Sequence, residues 1–188
     1  ERFFVLRKAE GTGNLENFVV KVRNLLNKNK VDEAIEECDA QKGSVGNVVK
    51  EGLTTYKALA HDKTLNKEQK MVALTKSIEE ATTLEMPMLE KNMMILSTLG
   101  TVATLVALLG TVIGMIKAFF ALGSGGGTPD AAALSIGISE ALINTALGIG
   151  TSAVAIILYN YFTSKIDGLT FKIDEIAMSI QQSFAEFH

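Results

Sequence analysis

Two long apolar runs dominate the pattern of this chain. Met93 to Ile116 carries no charged side chain, and neither does Ala141 to Phe162. Each exceeds the ~20 residues that a helix needs to cross a bilayer core of ~30 Å. A helix on a soluble domain buries one stripe, whereas these runs are apolar on every side. The chain is too short to enclose both in a core, so the pattern predicts two membrane-spanning helices. The glycine-rich stretch Leu122-Gly123-Ser124-Gly125-Gly126-Gly127 is the predicted turn between them.

Before the first run, apolar residues recur at helical spacing. Residues 1–10 read as a short helix, stopped by Gly11-Thr12-Gly13-Asn14. Leu15, Phe18, Val19, Val22, Leu25 and Leu26 mark an amphipathic helix, and Val31 to Gln41 a second. Val45, Val48, Val49, Leu53 and Tyr56 mark a third, over Ser44 to Ala60. Asn66 with Gln69 three residues on is a capping-box pattern. It opens a helix with no strong stop until Gly123, and Pro87 is expected to kink it near Leu84 to Met86. Thr128-Pro129-Asp130 restarts a helix, with Thr as cap, Pro at the first position and an acid in the first turn. That last helix is expected to run to about Phe187. Its end, carrying Ile166, Leu169, Phe171, Ile173, Ile176 and Ile180, is expected to pack on the polar region.

No strand pattern and no repeat is present, so the fold class is an all-α integral membrane protein whose long helices extend into a cytoplasmic helical domain. The expected segments are 1–10, the cytoplasmic end of an earlier membrane helix; 14–91, a cytoplasmic helical domain; 92–122, a membrane helix; 123–128, a periplasmic turn; 129–163, a second membrane helix; and 164–188, a cytoplasmic extension.

Charge sharpens this picture. A formal net charge of -3 with 21% charged residues resembles a soluble domain. Yet between Asn92 and Ser164 only Lys117, Asp130 and Glu140 are charged. Of the 18 Lys and Arg, only Lys117 lies toward the glycine-rich turn. The positive-inside rule therefore puts the polar domain and the tail in the cytoplasm and the turn outside. No basic patch points to nucleic acid. Cys38 is the single cysteine, with no His or second Cys near it, and reads as an inert thiol. Neither His61 nor His188 has a triad or a metal set nearby, and the glycine-rich turn lacks the Lys and strand of a phosphate loop. No enzyme, cofactor or metal site is expected.

The candidate chemistry lies inside the apolar runs. An ionised carboxylate in a span costs ~2.5–3.5 kcal/mol on insertion scales and rarely faces lipid. Glu140, about ten residues into the returning helix, is therefore read as functional, with a hydrogen bond at a subunit interface as its structural alternative. Glu140, Asn144 and Thr151 share one helix face; Thr145 and Ser152 share another, roughly 140° around. Thr104 and Thr111 share a stripe on the first span. Hydroxyls donate and accept, so they suit a proton-passing seam; equally, Thr and Ser in membrane helices bond back to their own backbone. Gly100, Ala103, Ala107, Gly110 and Gly114, with Gly137, Ala141, Gly148 and Ala155, form small-residue stripes. These are assigned to close packing between copies of the chain.

Several stretches carry a resemblance. Leu99-Gly100-Thr101, Leu108-Leu109-Gly110-Thr111-Val112-Ile113-Gly114-Met115, Ile138-Ser139-Glu140-Ala141-Leu142, Thr145-Ala146-Leu147-Gly148 and Tyr159-Asn160 resemble the ExbB/TolQ/MotA proton-channel family, its ExbB branch most closely. Glu1-Arg2-Phe3-Phe4 resembles the cytoplasmic end of the family's first membrane helix, so a further helix is expected upstream. The sequence departs from the family's pattern at Thr104, where proline is common, at Ala107, where glycine is, and at Asn144, where many relatives carry a small residue. The resemblance implies a homopentamer in the bacterial inner membrane. It also implies an ExbD-like one-span protein in the pore and a TonB-like protein driven by the proton-motive force for outer-membrane import. It assigns the proton pathway to Glu140, Thr111 and Thr145; the polar positions Thr104, Asn144 and Ser152 are candidate pore lining from their place in the apolar runs. A TolQ-like motor for envelope constriction is the nearest alternative. A passive oligomeric membrane scaffold is the alternative from another class, and intramembrane Glu140 argues against it. The glutamate pattern Ile138 to Leu142 favours ExbB/TolQ over a flagellar stator.

Overall fold

The computed structural model describes residues 2–124 and 131–187, and every element among them is an α-helix. In chain order these are α1 (Arg2–Glu10), α2 (Leu15–Leu26), α3 (Val31–Gln41), α4 (Ser44–His61), α5 (Lys67–Glu90), α6 (Met93–Ser124) and α7 (Ala131–Phe187). The glycines of the expected turn beyond Ser124 and the Thr128-Pro129-Asp130 start lie outside the described residues. The chain folds as two compact units: residues 1–91 with 164–188, and residues 92–163.

In the first unit, α2 to α5 each bury one face. Phe18, Val19, Val22 and Leu26 of α2 meet a core that includes Val45, Val49, Leu53 and Tyr56 of α4 and Leu74 and Ile78 of α5. The last part of α7 adds Ile166, Leu169, Ile173, Ile176, Ile180 and Phe184, spaced three and four apart, which is one stripe of a helix. Tyr56 and Phe184 meet edge to face at 4.9 Å. Phe171, expected in that stripe, is 64% exposed. It lies two residues from Leu169, about 200° around the helix, so it cannot share the face. Asn66 caps α5 as expected: its side chain accepts from Gln69 N at 2.8 Å, and Gln69 accepts in return from Asn66 N at 3.0 Å.

The junction of α3 and α4 explains two glycines. Gly11 has φ +77, and a Cβ there would collide with the carbonyl oxygen of Gln41; a Cβ on Gly43 would collide with that of Ala9. The close approach lets Thr12 N donate to Gln41 O at 2.7 Å and Gln41 Nε2 donate to Glu10 O at 2.7 Å.

The long helix expected from Asn66 to Gly123 is two helices. It continues through Pro87 to Glu90 and breaks at Lys91 and Asn92. Asn92 takes a left-handed conformation, φ 62, which Asn tolerates better than most residues. A broken helix leaves terminal carbonyls without intrahelical donors. Arg2, buried on α1, donates to Leu89 O at 2.6 Å and Lys91 O at 2.5 Å. That guanidinium stabilises the break at a helix C-terminus, where positive charge is favoured.

The second unit holds α6 and the first part of α7. Both helices are long and apolar enough to cross a membrane. Gly123 does not stop α6, which runs to Ser124. Gly100 lies against Ile156, Ala107 against Gly148, Gly114 against Ala141 and Ala118 against Gly137. As residue numbers rise on α6 they fall on α7, one for one, so the pair is an antiparallel hairpin. The small residues assigned to packing between copies thus pack within one chain. A Cβ on Gly137 would stand 2.7 Å from that of Ala118, and one on Gly114 3.0 Å from that of Ala141. The large side chains consequently point outward. Leu105, Val106, Leu109, Leu142, Leu147 and Ile157 are all exposed on the single chain, a surface suited to lipid or to other membrane helices. The protein is an all-α membrane protein.

Candidate functional site

The small-residue seam brings the two helix backbones close, and at its middle it sets two hydroxyls against each other. Thr111 on α6 and Thr145 on α7 share a short hydrogen bond, in which either oxygen can be the donor. Thr111 also reaches Ala107 O at 3.1 Å on its own helix and Ala141 O at 3.2 Å across the seam. Thr145 reaches Ala141 O at 3.2 Å. Two hydroxyl protons therefore serve three acceptors: two carbonyls and one hydroxyl. The pair has more than one satisfied arrangement, and a hydroxyl can accept one proton while releasing another. Back-bonding to the helix and contact between helices, the two readings open for these threonines, are present together.

The other candidate residues take different places. Ser152, 7% exposed, lies in the seam and donates to Gly100 O, so it ties the two helices together. Thr104 is half-buried on α6, two turns before Thr111. Asn144 lies along Gly110, whose added Cβ would be 3.3 Å from Asn144 Nδ2. Glu140 and Thr151 are exposed with Asn144 on the same flank of α7. Thr151 bonds back to Leu147 O at 2.8 Å. Glu140 makes no hydrogen bond or ion pair with the described residues. The structure thus joins Thr111 to Thr145 and leaves Glu140 on the opposite flank of the hairpin. On the Thr111 flank, Val112, Met115, Ile116, Phe119 and Phe120 line an open groove of about 570 Å³ with Thr111 at its rim. The carbonyl of Ala141, an acceptor for both hydroxyls, was invisible to side-chain reasoning because every residue carries one.

Among the described residues, no group of three His, Cys, Asp or Glu side chains could hold a metal ion. Cys38 is buried, and burial, with Asp39 beside it, pushes the thiol up to about 12. The thiolate is the reactive form. Folded protein at pH 7 is therefore expected to react with a maleimide far more slowly than protein in urea. Equal rates in the two states would refute the buried placement. Because its proton is held more tightly when folded, Cys38 favours the folded state below pH 9, and this contribution is lost as pH rises from 9 toward 12.

Residues 40–175 match the MotA/TolQ/ExbB proton channel family. The chain is similar to the putative biopolymer transport protein ExbB-like 3 of Synechocystis, 31% identical over 60% of this chain and 54% of that protein. It is similar to the biopolymer transport protein ExbB of Xanthomonas campestris pv. campestris strain B100, at 34% identity over 58% of this chain and 43% of that protein. The biopolymer transport protein ExbB of Helicobacter pylori strain J99 is 40% identical over 45% of this chain and 57% of that protein. The chain spans about half the length of these relatives. The matched stretch takes in both apolar helices with the hydroxyl pair between them, and on that ground the chain belongs to the MotA/TolQ/ExbB proton channel family.

Proposed function

We propose that this chain is the proton-channel subunit of an ion-driven motor in the bacterial inner membrane. On this reading it assembles as a homo-oligomer, a pentamer by family resemblance, around an ExbD-like one-span partner. The complex uses the proton-motive force to energise a TonB-like protein for outer-membrane import. The observation that carries the reading is the Thr111–Thr145 hydroxyl pair, set in an apolar hairpin that also bears Glu140. Protons entering from the periplasm would be relayed by Thr111 and Thr145 toward an acid on the partner helix, with Glu140 tuning or shuttling them. Thr104, Asn144 and Ser152 are the further polar positions along that path. Each proton crossing 100 mV releases ~2.3 kcal/mol, so a few crossings would supply a conformational step. The bias of Lys and Arg toward the first unit supports its cytoplasmic placement, including residues 14–91 and 164–188.

Relatives that carry the ExbB name favour this role over a TolQ-like one. The test uses proteoliposomes holding this protein with its one-span partner. Thr145→Val keeps the side chain's shape and removes the hydroxyl. Proton flux is expected to fall about tenfold, equivalent to ~1.4 kcal/mol on the barrier. Flux equal to the unsubstituted protein would remove the hydroxyl pair from the pathway.

A further inference from the structure

The residues at the break between α5 and α6 do little to stop a helix. Met88, Leu89, Glu90, Lys91, Met93 and Met94 are good helix formers, and neither glycine nor proline lies between Met88 and Leu99. Asn92, at φ 62, takes the left-handed position that glycine usually fills where a helix ends. Local preference alone favours carrying α5 into α6 as one helix.

Arg2 supplies what the local residues lack. In a continuous helix each N–H donates to the carbonyl four residues back, so Met93 N would donate to Leu89 O and Ile95 N to Lys91 O. These are the two carbonyls that the Arg2 guanidinium occupies, at 2.6 and 2.5 Å. The guanidinium stands in for the backbone donors that the break takes away. Arg2 is 8% exposed, so water has little access to replace it. The other end of α1 is anchored as well. Thr12 N donates to Gln41 O and Gln41 Nε2 donates to Glu10 O, both at 2.7 Å. α1 thus ties the end of α5 to the junction of α3 and α4.

We propose that Lys91 and Asn92 form a two-state joint with Arg2 as its latch. With the guanidinium seated, α5 ends at Glu90 and α6 starts at Met93. With the guanidinium withdrawn, Leu89 O and Lys91 O accept from Met93 N and Ile95 N, and the two helices become one. A latch differs from a plain helix cap in what its removal does. Losing a cap loosens the helix end, whereas losing the latch adds backbone hydrogen bonds at the joint. No ion flux enters the proposal, so it can fail while the proton-channel reading stands, and the reverse.

The experiment is hydrogen–deuterium exchange over residues 93–95, in the full chain solubilised in detergent. In Arg2→Ala, exchange there is expected to slow by about tenfold or more, because these amides gain carbonyl partners. Asn92→Ala leaves Arg2 in place and acts on the joint itself. Alanine resists the left-handed conformation, so exchange is expected to slow in this variant too. Asn92→Gly added to Arg2→Ala accepts that conformation without a steric penalty and is expected to bring fast exchange back. A slow maleimide reaction at buried Cys38 reports in each variant that the first unit is folded. Unchanged or faster exchange over residues 93–95, in either alanine variant that keeps Cys38 protected, would overturn the latch and leave Arg2 an ordinary cap. Because Asn92→Ala does not disturb Arg2, the test stays decisive if Arg2→Ala fails to fold.

Discussion

Glu140→Gln is expected to leave the protein in the membrane and to reduce proton-driven transport to background. Glutamine keeps the size of the side chain and its capacity to accept hydrogen bonds, but it cannot take up and release a proton. The residue is exposed on the hairpin, bonded to nothing among the described residues, so the fold of the single chain does not depend on it. An intramembrane acid costs several kcal/mol to insert and is kept for function. A loss of at least ~10-fold, equivalent to ~1.4 kcal/mol, is expected in proton flux through proteoliposomes containing the partner. Assembly is read separately from the size of the purified complex. Normal flux in an assembled Glu140→Gln complex would confine Glu140 to a structural hydrogen bond.

Gly148→Leu is expected to be the most damaging substitution for the hairpin. A Cβ on Gly148 would collide with that of Ala107 and stand 3.0 Å from Ala103 O, and neither can move without moving its helix. The helices must separate along the seam, which also carries Ser152 to Gly100 and Thr111 to Thr145. Overpacking of this kind typically costs ~1–3 kcal/mol, and more where backbone blocks relief. Gly150→Leu is the control, because a Cβ at Gly150 meets nothing within 4 Å. Thermal unfolding of the detergent-solubilised protein should show a large drop for Gly148→Leu and little change for Gly150→Leu. Equal losses from both would mean that the seam does not run where the structure puts it.

Much of the fold was legible because it depends on local pattern. Helices α2, α3 and α4 were readable from three-and-four spacing, and the Asn66–Gln69 capping box from two residues three apart. The spans needed only a count of uncharged positions. The break at Lys91 and Asn92 was missed because no local residue announces it: it is held by Arg2, 89 positions away. Phe171 misled because apolar character does not reveal which side of a helix is covered. The Thr111–Thr145 pair lay half in view: each hydroxyl was a candidate, but the meeting of two residues 34 positions apart depends on the register between their helices.

The order of amino acids was enough to show an all-α membrane protein and which polar side chains lie inside its apolar helices. Helical periodicity acts within a few turns, so a linear pattern records which segments are helical and which are apolar all round. What those helices turn toward one another came from their packing in three dimensions. It directed the glycines and alanines into the hairpin, joined two hydroxyls across it, and left Glu140 on the far flank. Those outcomes depend on how two particular surfaces interlock, and small residues permit a close approach without naming the partner.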